Sequence, residues 1–463
     1  MEENKHTSLE ETERYICETE RKVPVVAEVD VLVLGGGPAG VSAAIIAGRE
    51  GVRTMLVEQL GDVGGMATSG LMSHWTGKTR GGIYEEIIER SFEGEGFSHS
   101  ERESKGQDNR QIIHAEKLKS VLYEMLEESN VEVKLYTMAV EPIMKHNMIC
   151  GILTESKSGR EAILSKIVID CTGDGDIAAR AGVPCVLGRE KDQKMQPATL
   201  MFKVAGVNVQ KAILPGAFEE NISFPVEEDS LLQKEGFKEI KIQDLGRMKL
   251  HHPIGHVLLY RSSLPGVVTC NMTNFLDVDG TKADHLTKAT IACRKQISEI
   301  VAFLQEYVPG FENCYLMSAA SLIGIRETRH FKGEKVITET DIQEAKVFED
   351  WVVTNAWFNF DVHNMQGNGL DATGVQKGFK QNKGYTIPYG CFVPVKVDNL
   401  LLAGRDISGT HMAHSNYRAM PICANMGEAV GIAASLCVKN KVTPRELNVR
   451  WIQKRLIELG VSP

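Results

Sequence analysis

No Cys-x-x-Cys pair occurs in the 463 residues, although ten cysteines are present, at 17, 150, 171, 185, 270, 293, 314, 391, 423 and 437. That absence excludes a zinc ribbon and a local iron–sulfur motif, so no metal site is expected. The scatter predicts reduced, mostly buried thiols and a cytoplasmic protein. The N-terminus, Met1-Glu2-Glu3-Asn4-Lys5, lacks an apolar core, so no signal peptide is expected. No unbroken membrane-length apolar run is present either. The longest uncharged candidate, Val31 to Ala47, is interrupted by Gly35-Gly36-Gly37-Pro38, and membrane insertion is not expected. A basic excess is also missing: 52 Lys and Arg stand against 61 Asp and Glu, a formal charge of −9. Nucleic acid is therefore disfavoured as a partner. No internal repeat is visible.

What the chain does have is glycine, 43 residues or about 9%, against a usual ~7%. The apolar share of 43% and charged share of 24% are those of a soluble globular protein. The length predicts two or three domains.

Val29 to Leu34 (VDVLVL) is a short apolar run rich in β-branched residues, a strand buried on both faces. Lys22 to Glu28 reads as a separate edge strand in which Pro24 is tolerated. Ala39 to Arg49 reads as a helix ended by Gly51, and Arg53 to Glu58 as a second strand, which completes a βαβ unit. His114 to Glu128 is an amphipathic helix. Breaks at His146-Asn147 and Ser158-Gly159 predict a three-stranded antiparallel meander within 131–170. A helix is expected over Asp284 to Tyr307, and a long polar stretch runs from Asn364 to Gly384. Asn399 to Ala403 is again a buried strand, and helices follow at 421–438 and 444–459. Thr443 with Glu446 forms a capping box for the last of these, with Pro444 at its first position.

Gly35-x-Gly37-x-x-Gly40 follows a buried strand and opens a helix. Its glycines allow the tight turn, close approach of a pyrophosphate, and close helix–strand packing. The helix start adds unpaired N–H groups and positive dipole. Glu58, at the end of the second strand, suits a ribose hydroxyl pair and would repel a 2′-phosphate. Gly64-Gly65-Met66-Ala67, Thr172-Gly173-Asp174 and Gly404-Arg405-Asp406 recur at or beyond strand ends. A ligand that touches all these segments is long, which favours FAD over NAD. Asp406 would bind its ribityl hydroxyls, and Met420-Pro421 at a helix start would face the flavin. Val140 of the meander completes the expected cofactor contacts. Only one complete glycine-rich dinucleotide unit is present, so no second nicotinamide domain is expected.

The C-terminal third carries a longer signature. It reads Ile387-Pro388-Tyr389-Gly390-Cys391-Phe392-Val393-Pro394, then Asp398-Asn399-Leu400-Leu401-Leu402-Ala403-Gly404-Arg405. Thr410-His411-Met412-Ala413-His414 and Arg418-Ala419-Met420-Pro421-Ile422-Cys423 follow. Upstream stands Gly324-Ile325-Arg326-Glu327-Thr328-Arg329. Together these resemble a branch of the FAD-dependent oxidoreductases related to fumarate reductase and succinate dehydrogenase flavoproteins. The resemblance runs from about residue 25 to 440 and implies fold and cofactor, not substrate. Some relatives attach FAD through a histidine, but the sequence around His74 lacks that attachment motif, so non-covalent FAD is expected.

Proton transfer beside a flavin needs a group that titrates near neutrality, for which His363, His411, His414 and His330 are candidates. Arg326, Arg329 and Arg418 could clamp a substrate carboxylate. His411 and His414 lie between Asp406 and the flavin-facing helix, and Arg326 and Arg329 would share a helical face.

The expected fold is α/β: a doubly wound Rossmann-like FAD-binding domain with an antiparallel meander and an inserted α+β cap. Its parts are an N-terminal extension over 1–24, FAD-binding segments over 25–189 and 390–463, and the cap over 190–389. The expected function is hydride transfer between a small organic substrate and flavin N5. The alternative is an electron-transfer subunit of a multiprotein redox complex. Partners are then a small-molecule substrate and an unidentified electron acceptor or donor, with homo-oligomerisation left open.

Overall fold

The computed structural model describes residues 8–9, 16–18, 20–72, 74–91, 111–215, 221–228, 230–252, 256–367, 369, 381 and 383–463. Most of the polar stretch expected over 364–384 lies outside them.

Five parallel strands form the main sheet, in the order Glu132–Lys134, Thr54–Val57, Val25–Leu34, Gly159–Asp170 and Leu400–Leu402. Val31 to Leu34 are fully buried, as a central strand flanked on both sides requires. The segment 22–28 is not a separate edge strand. Val25 continues unbroken into Leu34, and the early residues are more exposed because only strand Gly159–Asp170 pairs with them. Pro24 sits just before, and its carbonyl accepts from the Ala162 N–H.

Strand Gly159–Asp170 is 12 residues long and serves two partners in turn. Its first half pairs antiparallel with Met148–Ser156, which pairs with Thr137–Lys145, and this is the expected meander. Its second half pairs parallel with Leu400–Leu402. The register is the useful fact. Leu34 lies opposite both Val57 and Asp170, and Asp170 opposite Leu402. Four strands therefore end at one level.

Helices Pro38–Arg49 and Met420–Asn440 pack closely beside this sheet. The second is long and apolar enough to cross a membrane, yet nearly all of it is buried in the core. The approach is made by glycine: a Cβ on Gly427 would stand 2.1 Å from the Ala39 carbonyl oxygen, and one on Gly431 2.7 Å from that of Ala43. The last helix is shorter than its sequence suggests, Val449–Glu458. Glu446 does accept from the Thr443 N–H and hydroxyl, but they close a turn; Asn448 caps the helix instead.

A second core is built from residues 198–323. An antiparallel sheet, ordered Leu258–Arg261, Val268–Asn271, Phe202–Ala205, Tyr315–Ala319, packs against helix Ala283–Tyr307 through Phe202, Cys270, Cys293 and Ile297. From Phe331 onward the buried residues rejoin the first core, well before position 389. Strands Trp351–Ala356 and Tyr385–Pro388 explain this, because they pair with each other and pack against the main body.

Gly427→Ala should be destabilising, because its Cβ meets helix backbone that cannot move aside. A cost of about 1–3 kcal/mol is expected, read as a lower melting temperature by circular dichroism.

Candidate active site

The loops after the four level strand ends converge. Gly35, Gly37, Pro38 and Ala39 come from the first, Glu58 from the second, Thr172, Gly173 and Asp174 from the third, and Gly404 and Arg405 from the fourth. With Gly65, Met66 and Met420 they line one cleft of about 1330 Å³, including space open to solvent. Backbone bonds fix the geometry: Gly35 N–H donates to Val57 O at 2.8 Å and Cys171 N–H to Leu34 O at 2.8 Å. Gly35 has φ +93°, and a Cβ there would fall 2.5 Å from the Cys171 carbonyl oxygen, so only glycine turns the chain here.

The cleft fits FAD on three counts. Gly37 has nothing within 4 Å of its Cβ position, leaving a ligand room beside the backbone. The helix that starts there has no side-chain cap, so its first N–H groups are available to phosphate. Glu58 is held rigidly, one oxygen accepting from Gly36 N–H at 2.5 Å and the other from Leu60 N–H at 2.7 Å, and each oxygen keeps a lone pair for a hydroxyl. Arg405 Nη1 is buried without a protein partner, while Nη2 lies 3.1 Å from Asp174.

Six expected cofactor contacts do not face the cleft. Gly40 packs the helix onto its strand: a Cβ would meet the Gly35 carbonyl oxygen. Gly64 holds the neighbouring turn through its N–H to Gly36 O at 2.7 Å. Ala67 is buried beneath Met66. Thr137, Met138 and Ala139 form the meander wall, and Val140 lies just past it at a register shift. Pro421 is in the first turn of its helix, buried behind Met420. Asp406 is fully buried, with neither carboxylate oxygen bonded, and burial then Asp170 push its carboxyl well up.

A second cavity, about 840 Å³ including open space, adjoins the cleft and shares Met66, Ile325, Arg405, Arg418 and Met420 with it. The second core supplies Thr199, Met201, Leu258, Tyr260 and Asn271. The opposite wall holds Arg326, Asp361, His363 and Arg418. Asp361 is the hub: Arg418 Nη2 donates to it at 2.8 Å, and His363 Nε2 lies 3.2 Å away. Burial opposes its ionisation, but His363 and Arg418 hold its carboxyl well below the usual range. Burial, then Arg326, lowers His363 to about 4, so the imidazole is neutral at pH 7. Burial and Arg418 pull Arg326 down to about 10. Sequence reading missed Asp361. Its signal is the i, i+2 spacing to His363, which puts both on one side of an extended chain.

Four expected catalytic residues are elsewhere. The segment around Arg326 is extended rather than helical, so neighbours point opposite ways: Arg326 into the cavity, Glu327 away from it. Glu327 is fully buried and accepts from His411 Nδ1 at 2.6 Å and His330 Nε2 at 2.8 Å. The His330 and His414 rings meet edge to face, 4.8 Å between centroids. Burial opposes the Glu327 charge, yet His330 and His411 hold its carboxyl well down, while burial and His330 push His414 well below its ordinary value. Ligand atoms of Glu327, His330 and His414 lie within 4.8 Å of one another. The Glu327–His330 separation is a hydrogen-bond length, shorter than the about 3.3 Å between two ligands on a tetrahedral ion with bonds near 2.0–2.1 Å. Arg329 donates to Asp174 O at 2.7 Å and Asp176 Oδ1 at 3.0 Å, bracing the turn after strand Gly159–Asp170.

The chain matches the family model described as FAD dependent oxidoreductase over residues 30–456. No curated protein sequence matches. Among solved structures, a geranylgeranyl bacteriochlorophyll reductase-like protein from Thermoplasma acidophilum is 12% identical, with a TM-score of 0.49, covering 93% of this chain and 83% of that one. The p-nitrophenol 4-monooxygenase from Pseudomonas putida is 10% identical, with a TM-score of 0.44, covering 95% and 91%. A myxobacterial chondrochloren halogenase is 12% identical, with a TM-score of 0.46, covering 93% and 78%. At these scores the likenesses say nothing about the reaction.

Gly37→Val should leave the melting temperature of the flavin-free protein within a few degrees of wild type, because its side chain enters open space. Flavin retained after gel filtration should fall at least tenfold, as the branched side chain occupies the approach to the helix start.

Proposed function

The chain belongs to the FAD-dependent oxidoreductase family, and from that premise we propose that it transfers a hydride between flavin N5 and a small organic substrate held in the second cavity. The observation that carries this reading is the shared wall: the second cavity adjoins the cofactor cleft and carries its own acid–base pair, Asp361 and His363. Bound FAD supplies the two-electron acceptor or donor. The chain's own residues do the rest. His363, neutral and oriented by Asp361, takes the proton that leaves an alcohol, amine or carbon as the hydride departs. In the reverse direction it returns that proton. Arg326 and Arg418 orient the substrate, and Met201, Leu258 and Phe358 help exclude water. Ala419 and Met420 bring an uncapped helix start, with its positive dipole, to the junction of the two cavities.

Anaerobic bleaching of the flavin against a panel of small metabolites tests the reading. A small molecule that bleaches it supports hydride transfer. Bleaching only by a partner protein would make this chain an electron-transfer subunit instead.

His363→Gln should keep its flavin and slow substrate-dependent reduction by about 10²-fold. His414→Asn, altering the cluster outside both cavities, should lower stability more than rate. The acid limb of flavin reduction should fall near pH 4, not near 6.5, because His363 must be unprotonated to act. Stability carries the same sign: the unfolded chain binds the His363 proton below about 6.5 and the folded chain only below about 4. This contribution is full above 6.5 and is lost as pH falls through that window. Denaturant melts of wild type and His363→Gln between pH 4 and 7 check it.

A further inference from the structure

The charges on the second cavity do not cancel. Arg326, Arg405 and Arg418 stand on its wall, and Asp361 is the one carboxylate there among the described residues. Arg405 is matched by Asp174 at 3.1 Å, and Asp361 matches Arg418 at 2.8 Å. His363 is neutral. Arg326 is left, bonded to the uncharged Pro197 carbonyl oxygen. Its burial is nearly complete, so water does not solvate it as bulk would. Arg418 Nε is also buried and without a partner. The rest of the wall carries no charge: Met66, Met72, Met201, Leu258 and Phe358 are apolar, and Thr76, Thr199, Asn271 and Tyr260 add neutral polar groups.

We propose that this cavity takes a singly charged carboxylic acid with an apolar or aromatic body, its carboxylate held by Arg326 and Arg418. The inference rests on the reading of this cavity as the substrate chamber. One excess cation fits one carboxylate. A second carboxylate would have no cation of its own, only neutral side chains around it, and a buried charge without a counter-charge is costly. A neutral molecule would leave Arg326 buried and uncompensated.

Titration calorimetry on the FAD-loaded protein tests this with three probes of defined charge: 3-phenylpropionate, its uncharged amide, and succinate. The expected order is 3-phenylpropionate tightest, with the amide and succinate each at least tenfold weaker. Arg326→Met should cost 3-phenylpropionate at least thirtyfold and leave the amide nearly unchanged. Asp361→Asn removes the one carboxylate and should narrow the gap between succinate and 3-phenylpropionate at least tenfold. Should either variant fold poorly, the wild-type series decides alone. Equal binding of acid and amide would overturn the proposal and hand the excess charge to the flavin ring. Tighter binding of succinate would overturn it in favour of a dicarboxylate. These measurements involve no turnover. If the acid binds as expected and no small molecule bleaches the flavin, the binding proposal stands and the hydride-transfer reading falls.

Discussion

The level carboxyl edge of the parallel sheet is the constraint on which the rest depends. Leu34, Val57, Asp170 and Leu402 stand side by side in hydrogen-bonded register. A slip of one residue in any of these strands would turn its buried side chains outward and shift its loop by about 3.3 Å. The four loops that make the cofactor cleft come from positions 35, 58, 171 and 403, and only this register brings them together. It is protected by burial, since the residues at the edge are nearly all inaccessible to water. Asp170 adds a polar lock. Its carboxylate accepts from the Ile177 and Ala178 N–H groups at 2.9 Å each and from the Thr172 hydroxyl, fixing the turn that presents Gly173.

Most of that frame was legible in the sequence. Buried runs of β-branched residues, glycines at strand ends and the two breaks of the meander each have one local cause, and each is found where it was expected. Position within the cleft was legible where backbone lines it, as at Gly35 and Gly37. It was not legible where a side chain decides. Asp406 and Val140 sit one residue beyond the wall, and only the direction of the Cα–Cβ bond separates Arg405, in the cleft, from Asp406, buried behind it.

The same limit explains the histidines. His411 and His414 share a face of helix His411–Tyr417, as spacing requires. Nothing local says which neighbour that face meets. It meets Glu327, 84 residues earlier in the chain, and not the cavity. Arg418 follows the last turn and points the other way, into both cavities. The residue of that motif that lines the cavities is thus the one that ends the helix, while the two histidines within it pack away from them.

Arg326 and Glu327 then link the packing of the two cores to the wall of the second cavity. They are adjacent on an extended chain where the two cores meet, and their side chains leave on opposite sides. Glu327 anchors the segment to helix His411–Tyr417 through a fully buried carboxylate with two imidazole partners. Removing one partner from such a buried charge costs about 3–5 kcal/mol, so the anchor resists small displacements. Arg326, one residue away, inherits that rigidity. A guanidinium on a mobile loop would lose side-chain entropy on binding each substrate. On the proposed reading of this cavity, the ordering is complete before a substrate arrives, because the same short segment that closes the second core is anchored to the first.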